Sequence, residues 1–163
     1  MKIFLLACCF SVSVMASPLS ELHKSGSGEM RYLWWNLYQA ELYLTQLPYQ
    51  KNQWPQALKL TYQRDIDKDD LIEATADQWQ HIKLNDPQQE AWLIQLASIW
   101  PELKKGDELI LLIKEDGLSY FYFNQQLVGT ITQADFGPAF LAIWLDENTS
   151  EPKLRQKLLG VNP

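Results

Sequence analysis

Residues 107–131 read DELILLIKEDGLSYFYFNQQLVGTI. Two turn signals interrupt this run. Glu115, Asp116 and Gly117 end in a glycine free to take positive φ, and Asn124 with Gln125 marks a second reversal. The three pieces that remain are short, apolar and aromatic, and they read as hairpin-linked strands. The first of them, residues 109–113, is apolar at every position. An alternating strand would leave one face to water, so this one is expected to be covered on both sides.

Outward from these strands the period changes to three and four. Leu71, Ile72, Thr75, Trp79 and Ile82 predict a helix starting at Asp67. Trp92, Leu93, Leu96, Ile99 and Trp100 predict a second, capped by Asp86 and Pro87 and stopped by Pro101. Downstream, Thr132 is expected to cap a third helix that buries Phe136, Phe140, Ile143 and Trp144. Ser150, Glu151 and Pro152 open a last short helix, which Gly160 closes. Upstream, residues 28–46 read as extended, a polar loop with Pro48 and Pro55 follows, and residues 56–62 form a strand with Leu58 and Leu60 on one face. Strands, helices, strands, helices is the order of an α+β fold, an antiparallel β-sheet packed against a layer of α-helices.

The first sixteen residues, MKIFLLACCFSVSVMA, stand apart from this pattern. Lys2, the apolar run from Ile3 and the Val14-Met15-Ala16 site read as a signal peptide cut after Ala16, which leaves one domain over 17–163. The expected location is periplasmic or secreted. The alternative, LLAC at residues 5–8 as a lipid-attachment box, has too short an apolar run before Cys8. Cys8 and Cys9 are the only cysteines and both lie in the leader. The remaining chain must then be held by its core and not by disulfides. No later stretch reaches about 20 apolar residues, so no transmembrane helix is expected. Fourteen basic against 20 acidic side chains give a formal net charge of −6, one more negative without Lys2. That balance opposes binding to nucleic acid and to anionic membrane, and fits simple solubility.

Residues 30–44, MRYLWWNLYQAELYL, carry the candidate site. In one continuous strand Tyr32, Trp34, Asn36 and Tyr38 share a face with Ala40, Leu42 and Leu44. Neither face suits water, and the chain has too few strands for a lipid-facing barrel. A single such aromatic is most often core. Yet Asn36 and Tyr38 set an amide and a phenol on an apolar wall, as ligand sites do. The candidate contacts are Tyr38 and Asn36, with Trp34 and Tyr32 as wall. Arg64, at a strand-to-helix junction, or Arg31 is the candidate anchor for an anionic group. Asp65 is the structural alternative as a partner for Arg64.

Other chemistries find little support. His23 and His81 are the only histidines, and no zinc spacing exists. There is no nucleophile-elbow motif. DIDKDDL, from Asp65, resembles the start of a calcium loop, but Asp70 stands where glycine is needed and Ala76 where the bidentate glutamate belongs. Asp67, Asp69 and Asp70 fit better as carboxylates in a helix's first turn. No metal or cofactor is expected.

LYQAELYL (37–44), TYQRDI (61–66), YFYFNQQLVGTI (120–131) and DFGPAFLAIWLDENTSEPKLRQKLLG (135–160), in this order, resemble the chalcone isomerase-like proteins, more closely their bacterial secreted branch. The resemblance implies a large antiparallel sheet on a helix layer, with a cleft between them for a hydrophobic small molecule. The plant enzymes of this family close a chalcone into a flavanone; other members bind fatty acids. Cyclisation builds negative charge on a ketone oxygen and needs donors there. The enzymes supply an Arg, a strand Thr, a helical Tyr and Asn, and a late hydroxyl. Here Tyr38 stands at the Thr position, as in the fatty-acid-binding members. The Arg falls near Gly26, the late hydroxyl near Gly137 and Pro138, and no Tyr lies between Gln63 and Ser119. The resemblance therefore implies a non-catalytic binder of a hydrophobic or fatty-acid-like small molecule. An intramolecular lyase of the isomerase type and an envelope interaction protein without a ligand site are the alternatives.

Overall fold

A computed structural model of the chain describes residues 17–32 and 34–161. The proposed leader over 1–16 lies outside the described residues, as do Leu33 and the Tyr32 side chain. Six strands form one antiparallel sheet in sequence order: β1 (His23–Tyr32), β2 (Trp35–Leu44), β3 (Gln56–Tyr62), β4 (Glu108–Ile113), β5 (Ser119–Phe123) and β6 (Gln126–Ile131). Between β3 and β4 run helices α1 (Lys68–His81) and α2 (Gln89–Ile99). After β6 come α3 (Phe136–Leu145) and α4 (Pro152–Leu158). The α+β reading holds.

The register explains the layers. Leu42 pairs with Leu58, Leu58 with Leu111, and Leu111 with Phe121, a row of apolar side chains on the helix face. These pack with Trp79, Trp92, Leu96, Phe136 and Phe140 of the helices in one core. The next row, Tyr43 to Ala57 to Leu112 to Tyr120, points the other way. With Ile110 it forms a smaller cluster against Leu19 and Leu22. All five residues of 109–113 are consequently buried, as their uniform apolarity requires. On this second face an ion row also crosses the sheet. Lys24 pairs with Glu41, and the Lys59 ammonium stands 3.0 Å from both Glu41 and Glu108.

Helix α4 lies on β1. A Cβ at Gly26 would overlap the Lys157 carbonyl oxygen, and one at Gly28 would come within 2.7 Å of Leu154 Cδ1. The small residues of β1 are the seat of that helix.

Two expectations are corrected. Residues 28–46 are not one strand: the chain reverses after Tyr32, which pairs with Trp35, and β1 begins earlier, at His23. Nothing local announced the turn, because the residue described in it is Trp34 instead of Gly, Asn or Pro. Thr132 does not cap α3. Residues 133–136 form a turn of their own, with Phe136 N donating to Gln133 O, and Asp135 occupies the cap position. Among the described residues no helix is long and apolar enough to cross a membrane.

Candidate functional site

Between strands β1–β4 of the sheet and helices α1 and α3 lies a cleft of about 600 Å³. Its sheet side is built from the β2–β3 pairing. Tyr38 and Tyr62 are direct partners across it, and their rings meet edge-on at 5.8 Å. The same alternation that puts Leu58 and Leu60 on the helix face carries Tyr62 there. From the helices, Trp100 closes the end of α2, Phe140, Ile143 and Trp144 line the α3 side, and Leu71 and Thr75 line the α1 side. The Thr75 hydroxyl is spent within its own helix, donating to Leu71 O at 2.8 Å.

The polar groups fall into two sets. Inside the cleft, Trp144 Nε1 donates to the Tyr38 hydroxyl at 3.0 Å. Burial pushes the Tyr38 phenol far above its ordinary value; the Trp144 hydrogen bond opposes this and the charge of Glu151 adds to it. This phenol stays protonated and can donate, but it cannot serve as a base near neutral pH. The Tyr62 hydroxyl is buried, pushed up by that burial and then by Tyr38, and has no partner among the described residues. The Trp100 indole N–H has none either. At the rim stand Arg64, Asp65, Asp67, Asp70 and Glu151. Asp65 does not pair with Arg64. It accepts from Lys105 N at 2.9 Å and lies 3.3 Å from Lys104 Nζ, which together hold its carboxyl below the usual range. The Arg64 guanidinium instead sits over the Trp35 ring, 5.4 Å from its centre.

Of the residues singled out from sequence, Tyr38 and Arg64 line the cleft. Trp34 is 81% exposed at the β1–β2 turn and is not part of the wall. Asn36 pairs with Arg31 at the hairpin end, also outside the wall. A register irregularity does fall between Met30 and Arg31, but the Arg31 side chain turns to Glu29 at 2.6 Å and not to the cleft. The Tyr32 side chain lies outside the described residues. Tyr62, Trp100 and Trp144 were not anticipated as site residues. Tyr62 had a signal, two positions before Arg64 and in phase with Leu60. The two tryptophans had none, since helix periodicity marks them only as core.

Two of the places where the resemblance puts the enzymes' catalytic groups, near Gly26 and near Gly137, are closed here. Gly26 lies under α4, and a Cβ at Gly137 would come 2.7 Å from Ile113 Cδ1 and 2.8 Å from Ser119 Oγ. A longer side chain at either point needs a neighbour to move. A second hollow, of about 360 Å³, lies at the far end of α3. Two of its polar groups are already engaged, Arg155 Nε with Leu145 O at 2.8 Å and Gln56 Nε2 with Gln50 O at 2.7 Å.

Residues 12–160 match the family model described as chalcone isomerase-like. An uncharacterized protein of Haemophilus influenzae is 27% identical over 145 residues, covering 89% of this chain and 71% of that protein. The crystal structure of an Arabidopsis thaliana fatty-acid binding protein aligns with a TM-score of 0.69 at 12% identity, over 89% of this chain and 90% of that one. At that identity the likeness speaks for the fold alone. The family match, which spans nearly the whole chain, agrees with the sheet order and the helix layer, and so this protein belongs to the chalcone isomerase-like family.

Proposed function

We propose that this protein is a non-catalytic binder of a hydrophobic, fatty-acid-like small molecule, held between sheet and helices. The observation that carries the reading is the open space beside Tyr38. A volume of about 600 Å³ lies within the roughly 300–1,000 Å³ common for small-molecule sites, and its wall is apolar with a few placed polar groups. The fatty-acid binding protein that shares the fold is consistent with such a ligand. Catalysis of the chalcone type is not favoured, because Gly26 and Gly137 leave no room for the further groups that it needs beside Tyr38. The leader over 1–16 supports a periplasmic or secreted location.

Native mass spectrometry of protein purified from its own host tests this. A bound hydrophobic molecule is expected, released on denaturation. No bound molecule, together with no thermal shift from any long-chain acid, alcohol or ester, would overturn the reading. N-terminal sequencing of the same material is expected to start at Ser17; an intact Met1 in a cytoplasmic fraction would remove the secretion proposal.

A further inference from the structure

The chain has seven tryptophans. Trp79, Trp92, Trp100 and Trp144 are buried, and Trp54 is half-buried. The other two are neighbours at the β1–β2 turn, where Trp34 is 81% exposed and Trp35 is 56% exposed. Single apolar side chains in water need no explanation, but two adjacent indoles at the end of a hairpin do.

The tip is joined to the cleft. Met30 pairs with Tyr38 and Arg31 with Asn36, so Leu37 has no partner on β1. Such a bulge shifts the alternation of side chains by one position. Tyr38 and Leu37 accordingly both line the cleft, and Trp35 follows in phase with Leu37. The Trp35 ring lies 5.4 Å from the guanidinium of Arg64, itself a lining residue. The wall of the cleft thus continues along β2 to the exposed indoles.

The chemistry of the tip fits a lipid surface. Indoles favour the interface of a bilayer, where the ring meets acyl chains and the N–H meets head groups and water. Arg31 and Arg64 are both exposed beside them, and guanidinium matches phosphate oxygens in geometry and charge. The adjacent acids are already engaged, Glu29 by Arg31 and Asp65 by Lys104 and the Lys105 backbone N–H. The net charge of −6, with Asp67, Asp70 and Glu151 on the same cleft, disfavours an anionic surface. Zwitterionic phospholipid offers the phosphate without net negative charge.

We propose that the β1–β2 turn is a membrane-contacting tip. Trp34 and Trp35 enter the interfacial zone of a zwitterionic bilayer, Arg31 and Arg64 meet its phosphates, and the cleft is set against the store from which a hydrophobic ligand is drawn. The contact extends the binder reading but is measured without the ligand.

Flotation with vesicles of palmitoyl-oleoyl phosphatidylcholine tests it, together with quenching of indole fluorescence by phosphatidylcholine brominated on its acyl chains. The parent is expected to float and to be quenched. The double variant Trp34→Ala, Trp35→Ala is expected to bind about tenfold more weakly, with the parent's urea midpoint and with its bound molecule kept in native mass spectrometry. Trp34→Ala alone is expected to fall between the two. A parent that stays in the aqueous fraction, or floats only when phosphatidylglycerol is present, overturns the proposal and leaves the binder reading standing. A double variant that floats as the parent does also overturns it. If the double variant unfolds, Trp34→Ala decides, and its unchanged flotation overturns the proposal. Vesicle binding by a protein that carries no small molecule upholds the tip while the binder reading falls.

Discussion

Trp144 on α3 donates its indole hydrogen to the hydroxyl of Tyr38 on β2 across 3.0 Å, and the two rings meet edge-on at 6.5 Å. This bond ties the helix layer to the sheet at the wall of the cleft. It also fixes which way the phenol proton can point. Tyr38→Phe removes the acceptor and leaves the indole N–H of a buried tryptophan unpaired. The expected cost is about 1–3 kcal/mol in urea unfolding. A double-mutant cycle with Trp144→Phe is expected to show a coupling of about 1 kcal/mol. Additive effects would mean that the two side chains do not hold each other.

Gly26 and Gly28 both sit under α4, but what lies above them differs. A Cβ at Gly26 meets backbone, the Lys157 and Leu158 carbonyls, whereas one at Gly28 meets side-chain carbons of Leu154 and Lys157. Side-chain ends give way more easily than a helix backbone. Gly26→Ala is therefore expected to cost roughly 3 kcal/mol or more and Gly28→Ala roughly 1 kcal/mol, read as thermal unfolding at matched pH. The reverse order would show that α4 does not seat on β1 as described.

That seat also explains what could and could not be read from the chain. The Ser-Gly-Ser-Gly run at 25–28 looks like loop by composition. It is strand because a helix more than a hundred residues later in sequence needs a surface without side chains. The turn at Trp34 was hidden for the opposite reason, since that residue continues an apolar run that favours strand. Local pattern sufficed where one face or both faces of an element are buried by their neighbours. Thus β3, α1, α2 and the three strands of 107–131 were legible. At the site, Tyr38 and Arg64 could be named from alternation and junction position. Trp100 and Trp144 could not, because only the packing of helices on sheet turns those two indoles towards a shared space.

The ion row on the second face of the sheet makes a pH prediction. Burial alone raises the Glu41 carboxyl, but hydrogen bonds and charges from Lys24 and Lys59 outweigh it and hold the group below its ordinary 4.5. A depressed carboxylate contributes stability above its unfolded value and loses it as the pH falls through the folded one. Burial lowers the Lys59 ammonium, while Glu41 and Glu108 outweigh that and raise it above 10.5. Its contribution is present below that value and lost as the pH rises through the folded one. Glu41→Gln should thus be less stable than the parent near neutral pH, with the difference shrinking once the pH drops below about 4.5. Chemical unfolding followed from neutral to acid pH checks this. A difference that stays constant through the acid limb would show that Glu41 gains nothing from its two lysines.

Tryptophan content alone does not say which indoles hold this fold together. Trp34 is 81% exposed at the hairpin turn, whereas Trp79 is 0% exposed. Trp79 donates Nε1 to Ala139 O at 2.9 Å and meets Trp92 edge-on at 5.7 Å and Phe136 at 6.4 Å. Truncating Trp79 removes that packing, opens a cavity between α1, α2 and α3, and strands a backbone carbonyl. Trp79→Ala is expected to cost about 3–5 kcal/mol, and Trp34→Ala to stay within about 0.5 kcal/mol of the parent. Both are read as unfolding midpoints in urea. The pair separates two readings of the aromatic stretch at 30–44. If Trp34→Ala proves as costly as a core truncation, the turn after Tyr32 is wrong and the stretch is buried on both faces as a single strand. If it is silent, the ladder of aromatics ends at the turn, and Tyr38 is where its inward side begins.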